Sequence, residues 1–206
     1  MAGRERPLAF VIFPRQDVES SRSGEAVRHD FSPFGQRPMP IIVLGALIRR
    51  AGWSVRIIDE NREAIPDAVP DAVFVVVWTC LAPRAYEIAD RYRGVGVPVV
   101  LGGVHASMLP GEALRHGDAV VAGEAESVIA EVMADLEAGR LQRLYHGAWV
   151  GMEEVPAFAE YRDLYLSGPL RRLPIHSLQT SRGCRFNCSY CSVIRINGRG
   201  MRHMEP

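Results

Sequence analysis

Over roughly the first 140 positions, short runs of branched apolar residues alternate with segments whose apolar residues recur every three or four places. Leu8–Phe13, Val55–Asp59, Val73–Trp78, Val97–Leu101 and Ala119–Val121 are rich in valine and isoleucine and read as five strands. Their apolar runs are continuous rather than alternating, which calls for cover on both faces of a sheet. Arg84–Arg93 places Ala85, Ile88, Ala89 and Tyr92 on one helical face, with Pro83 near its start and Gly94 just past its end. Val128, Ile129, Val132, Met133 and Leu136 make a second such stripe, closed by Gly139. Pro40–Ala51 opens like a strand, but its full length favours a buried helix. Strands alternating with helices predict an α/β fold: a Rossmann-like, flavodoxin-like doubly wound parallel sheet of five strands.

Two stretches break the alternation. Pro14–Pro38 is a polar loop longer than an ordinary strand-to-helix connection, at the carboxyl edge of the sheet where open α/β folds bind ligands. Gly151–Pro174 holds three prolines and no sustained period, and reads as a linker with one helical turn. After it, "IHSLQTS" reads as one more strand that leads into a cysteine cluster. The chain therefore divides into a sheet domain over 1–147, a linker over 148–173 and the start of a second unit over 174–206.

Composition narrows the function classes. Arg and Lys together equal Asp and Glu at 24 each, and every basic residue is arginine. A chain with no net charge exerts no general pull on nucleic acid or an anionic membrane, so neither is an expected partner. No apolar run approaches the ~20 residues of a membrane span, and "MAGRERPLAF" lacks the shape of a signal peptide, so the expected compartment is the cytoplasm. The first strand is followed by "FPRQDVES" rather than G-x-G-x-x-G, and a chain without lysine has no P-loop. Asp59 stands where a ribose-binding acid could stand, or is a solvated strand-end residue. Arg49, Arg50, Arg171 and Arg172 read as solvated faces, and Cys80 as a small buried apolar residue without chemistry.

Glycines gather at two other strand ends, in "LGGVHAS" from Leu101 and "VAGEAES" from Val121. They either admit a ligand close to the backbone or make tight turns. Cys184, Cys188 and Cys191 form a C-x3-C-x2-C array. Zinc would need a fourth ligand, with His176 and His203 nearby. A cubic iron–sulfur cluster held by three thiolates would instead leave one iron open to a small molecule.

With Tyr190 directly before the last cysteine, this array resembles the signature of the radical S-adenosylmethionine (SAM) superfamily. The resemblance implies a 4Fe-4S cluster on the three cysteines, SAM chelated at the open iron and cleaved to a 5′-deoxyadenosyl radical, and Tyr190 against the adenine. The order of the pieces, from Thr79 through "LGGVHAS" and "VAGEAES" to "TSRGCRFNCSYC", resembles the cobalamin-binding (B12-binding) domain of B12-dependent radical SAM enzymes joined to the start of their catalytic domain. That resemblance implies cobalamin over the carboxyl edge of the sheet, lined by Thr79, Gly102, Gly103, Gly123 and Glu124, with His105 beside it. The chain departs from the D-x-H-x-x-G pattern of many B12 domains, because Gly103 stands two places before His105. A protein imidazole ligand of that kind is therefore not supported, and His105 reads as a turn or supporting residue.

The implied activity is that of a methyltransferase. The alternative is a non-catalytic cobalamin-binding module with a vestigial cysteine array. Only 15 residues follow Cys191, whereas a complete parallel barrel takes about 200 or more. The expectation is a truncated piece that relies on a separate chain for the rest of its barrel, and on an electron donor such as a flavodoxin or ferredoxin.

Overall fold

Alternation along each strand decides which side of the sheet a residue serves. In β1 (Leu8–Phe13) Ala9, Val11 and Phe13 join one buried cluster, while Phe10 and Ile12 join the other. The structure, a computed structural model, describes residues 6–15, 17–19, 26–28, 39–167 and 177–204, with 17–19 and 26–28 described by backbone alone. Part of the long polar loop forms an antiparallel pair, β2 (Asp17–Glu19) with β3 (Ala26–Arg28). Then follow α1 (Met39–Arg50), β4 (Ser54–Asp59), β5 (Ala72–Val76), a 3-10 turn over Thr79–Leu81 and α2 (Ala82–Arg93). The chain continues through β6 (Val99–Gly102), α3 (Val104–Met108), α4 (Pro110–Ala113), β7 (Ala119–Gly123), α5 (Ile129–Glu137), β8 (Leu144–Gly147) and α6 (Phe158–Tyr165). Last come β9 (Ser181–Arg182), α7 (Val193–Ile196) and β10 (Arg202–His203).

The central sheet is parallel throughout, in the order β4-β1-β5-β6-β7-β8. Strand order reverses between β1 and β5, the doubly wound arrangement expected from the sequence. The sheet carries six strands rather than five. The extra strand, β8, pairs Leu144–Gly147 with Val120–Gly123 at the edge, and Tyr145 is its one buried residue. A short edge strand with one buried position leaves no apolar run to read. The other strands lie where the apolar runs put them, with ends moved by one or two residues.

One face of the sheet is covered by α1, α5 and α6 through Ile41, Ile48, Val132, Met133 and Tyr165, and the other by α2, α3 and α4 through Ala85, Ile88, Ala106 and Ala113. A side chain on Gly45 would stand 2.7 Å from Ile57 Cδ1 and 3.3 Å from Leu164 Cδ1, so its absence lets α1 settle between β4 and α6. The stretch read as a linker with one turn holds the eight-residue α6. Val150, Met152, Val155, Tyr161, Leu164 and Tyr165 are buried in the sheet domain's own core. Arg171 and Arg172 lie outside the described residues, whereas Arg49 and Arg50, exposed as expected, pair with Asp163 and Glu160 of α6 at 2.6 and 2.7 Å.

Asp59 is not a solvated strand end: it is 5% exposed, accepts hydrogen bonds from Asn61 at 2.9 and 3.1 Å, and pairs with Arg62 at 3.2 Å. Those partners offset the cost of burying the charge. Cys80, expected inside, is exposed on the 3-10 turn. Among the described residues, no helix is long and apolar enough to cross a membrane.

Candidate functional site

Strands β5, β6 and β7 end side by side, and the edge they form, with α1 beside it, opens into a cleft of about 280 Å³. Its interior is apolar, with Val43, Leu44 and Leu47 from α1 facing Phe74, Val100 and Val121 from the sheet. Gly102, Gly103, Gly123 and Glu124 stand at its rim with Glu126, and the segment after α6 contributes Gln179, Arg182 and Asn197. The two glycine-rich strand ends noted in the sequence thus belong to one site. At Gly123 the backbone takes φ +103°, and a Cβ there would lie 2.2 Å from the carbonyl oxygen of Gly147, so only glycine fits where β7 meets β8. Ser107 fastens the two glycine turns: its hydroxyl donates to Gly103 O at 2.8 Å and accepts from Gly123 N–H at 3.0 Å.

Glu124 follows directly and is 4% exposed. Its carboxylate accepts the Val150 N–H at 3.0 Å, the Arg202 guanidinium at 2.7 and 2.5 Å, and the Asn197 amide at 3.2 Å. Arg182 stands 3.4 Å away and donates to Glu126 at 2.6 Å. Burial by itself would raise the Glu124 pKa, but the hydrogen bonds from Arg202, Val150 and Asn197 outweigh it and hold the carboxyl below the ordinary glutamate range. Arg182 and Arg202 face each other across the two-residue ladder of β9 and β10. Two guanidinium groups at one rung would repel, and the two carboxylates offset that repulsion.

The ladder closes the base of the loop that carries the cysteines. Cys184 N–H donates to Gly198 O and Cys191 N–H to Cys188 O, both at 3.2 Å. Trp149, just past β8, lays its indole against Gly198 and donates from Nε1 to Ile196 O at 2.7 Å. All three cysteines are free thiols, Cys184 and Cys191 half-buried and Cys188 exposed. Among the described residues, no three His, Cys, Asp or Glu side chains are gathered to hold a metal ion. Tyr190 is 89% exposed, His203 is exposed, and His176 lies outside the described residues. The strand expected over "IHSLQTS" reaches only Ser181 among the described residues.

Thr79 and His105 do not line the cleft, although Trp78 and Val104 beside them do. His105 is 8% exposed, with Nε2 at 3.2 Å from Glu112 Oε1 and Nδ1 at 3.2 Å from the Thr79 hydroxyl. The hydrogen bond from His105 holds the Glu112 carboxyl low. An ionised carboxylate only accepts, so Nε2–H donates to Glu112, and Nδ1 is paired with the Thr79 hydroxyl. His105 thus ties α3 to the turn after β5 and to α4, with both ring nitrogens engaged.

Sequence reasoning did not single out Glu126, Arg182, Asn197, Arg202 or Ser107. The signal for three of them was present, in an E-A-E at a strand end and in arginines flanking the cysteine array on either side.

Residues 34–133 match the B12 binding domain family. The chain is 31% identical over 180 residues to a bacteriochlorophyllide d C-8(2)-methyltransferase of Chlorobaculum tepidum, covering 83% of this chain and 40% of that protein. A bacteriochlorophyllide d C-12(1)-methyltransferase of the same organism is 27% identical over 83% of this chain and 39% of its own length. A hopanoid C-2 methylase of Rhodopseudomonas palustris is 29% identical, with the match covering 100% of this chain and 39% of that protein. The chain spans about two fifths of the length of these curated relatives. The expected resemblance to the cobalamin-binding domain is borne out over residues 34–133, the part of the chain that matches the B12 binding domain family.

Proposed function

We propose that the chain is the cobalamin- and cluster-binding portion of a B12-dependent radical SAM methyltransferase. The observation that carries this reading is the placement of the cysteine loop at the rim of the apolar cleft, tied there by Arg182 and Arg202 to Glu126 and Glu124. The rim at Gly102, Gly103 and Gly123 presents peptide backbone without side chains, which suits the edge of a large flat ring. Three free thiols within eight residues form a soft donor set suited to iron and sulfide, although their side chains do not converge in this structure. Cys184, Cys188 and Cys191 would hold a 4Fe-4S cluster, Tyr190 would close over the adenine of SAM, and Gly102, Gly103 and Gly123 would receive cobalamin. When bound, these groups supply reductive cleavage of SAM and a transferable methyl group. The protein's own residues set the distance between the two sites and exclude water from the cleft with Val43, Leu44 and Leu47. Further contacts to SAM and substrate would come from additional polypeptide, and electrons from a flavodoxin or ferredoxin.

Anaerobic reconstitution with iron, sulfide and hydroxocobalamin tests the reading. The expected product holds about four irons per chain and one corrinoid, with a reduced-cluster EPR signal. Bound zinc alone, or no iron, would reject it. The unconverged thiols favour a second reading, a cobalamin carrier without a cluster, in which corrinoid binds and iron does not.

A further inference from the structure

The loop between Arg182 and Arg202 carries every cysteine of the array, and both arginines reach acids on the other side of the cleft rim. Glu124 is central to this contact. It accepts from Val150 N–H behind it and from Arg202 and Asn197 in front, so one buried carboxylate joins the end of β7, the segment after β8 and the far end of the cysteine loop. Arg202 also donates to the carbonyls of Val150 and Asn197, which closes the network on itself. Glu124 and Arg182 both line the cleft, so a ligand that fills it meets the same side chains that hold the loop.

We infer that Glu124, supported by Glu126, is a positioning residue that sets the cysteine loop against the cleft and couples occupancy of one site to placement of the other. This rests on the proposed cofactor assignment. The carboxylate touches no thiol, and acts through Arg202, Asn197 and the Arg182 rung. A charge with this many donors cannot be replaced by a neutral amide without leaving Arg202 poorly paired in a half-buried place.

Two measurements on the full chain test it. The first needs no cofactor. Arg185, Arg195 and Arg199 are exposed within the loop, and limited trypsin digestion reads how often the loop leaves its place. Glu124→Gln should raise cleavage at these sites by about tenfold, with little change in the thermal melting of the sheet domain and with partial recovery in Glu124→Asp. Equal cleavage in wild type and Glu124→Gln would overturn the proposal. The second uses the reconstituted chain with its corrinoid reduced to cob(II)alamin and its cluster reduced. Two unpaired spins held at a fixed distance shorten each other's relaxation. Glu124→Gln chains that have taken up both groups should lose most of that enhancement. Full loading with unchanged relaxation would also overturn the proposal. A wild-type chain that took up neither group would reject the proposed function and the coupling together, while the digestion result would still report on the loop itself.

Discussion

At the scale of single residues, the site depends on groups that have no substitute. Gly123 has two reasons to be glycine, a positive φ and the carbonyl of Gly147 at 2.2 Å from a would-be Cβ, whereas Gly139 has only its φ of +66° and open space around it. Gly123→Ala should therefore cost about 3 kcal/mol and Gly139→Ala about 1 kcal/mol, the difference measuring the clash. Urea denaturation of the two variants would check this, and equal losses would show that β7 and β8 can part without penalty. Glu124 predicts a pH response. A carboxyl whose pKa is lowered by folding stabilises above the ordinary glutamate range, and that stabilisation is lost as pH falls through the lowered value. The Trp149 indole against Gly198 can report it. Its emission, taken as the difference from a Trp149→Phe chain, should stay constant from pH 8 to about 5 and shift red only below ~4.3. A midpoint above pH 5 would mean that the carboxyl is not held down. Neither the charge nor the partners of Glu124 could be foreseen from its neighbours in sequence, because Arg202 lies 78 positions away.

Among the elements, α6 packs its side chains into the core beside the sheet. Burial of Val150, Met152, Val155, Tyr161, Leu164 and Tyr165 is worth roughly 9–18 kcal/mol together as an upper estimate, at about 1.5–3 kcal/mol for each large side chain. That is comparable with the whole stability of an ordinary domain. The exposed pairs Arg49–Asp163 and Arg50–Glu160 add about 0–1 kcal/mol each. A chain ending at residue 147 should therefore be unfolded or molten, while one ending at 167 should show a cooperative denaturant transition. Loss of that difference would mean that α6 is dispensable. The apolar face of α6 was already written in the sequence as Phe158, Tyr161, Leu164 and Tyr165, three or four apart, but Pro156 and Gly168 on either side gave the stretch the look of a linker. The inner strands were legible because valine and isoleucine ran unbroken through them. The helix α1 was legible from its length.

For the whole molecule, the apolar cleft and the cysteine loop meet at one edge of one sheet, and as proposed cofactor sites they should be separable. Replacing Cys184, Cys188 and Cys191 together by serine should abolish iron uptake while leaving hydroxocobalamin affinity within about twofold, read by absorption titration under argon. Loss of corrinoid binding in that variant would mean that the thiols themselves, and not only Arg182 and Asn197 of the same loop, serve the cleft. The two sites differed in how far the sequence disclosed them. Cysteine spacing is a local signal and survives without a structure, but a cleft assembled from β5, β6, β7 and α1 exists only once the sheet has brought positions 39 to 124 together. The arginine rung of β9 and β10 has a consequence in time as well. Two strands of two residues cannot hold themselves together, least of all with like charges opposed, so the ribbon has nothing to form on until β7 has delivered its two acids. A chain emerging from the ribosome would thus complete its sheet first and settle the loop that carries its thiols last, so that under the proposed assignment the corrinoid cradle would be ready before the cluster ligands.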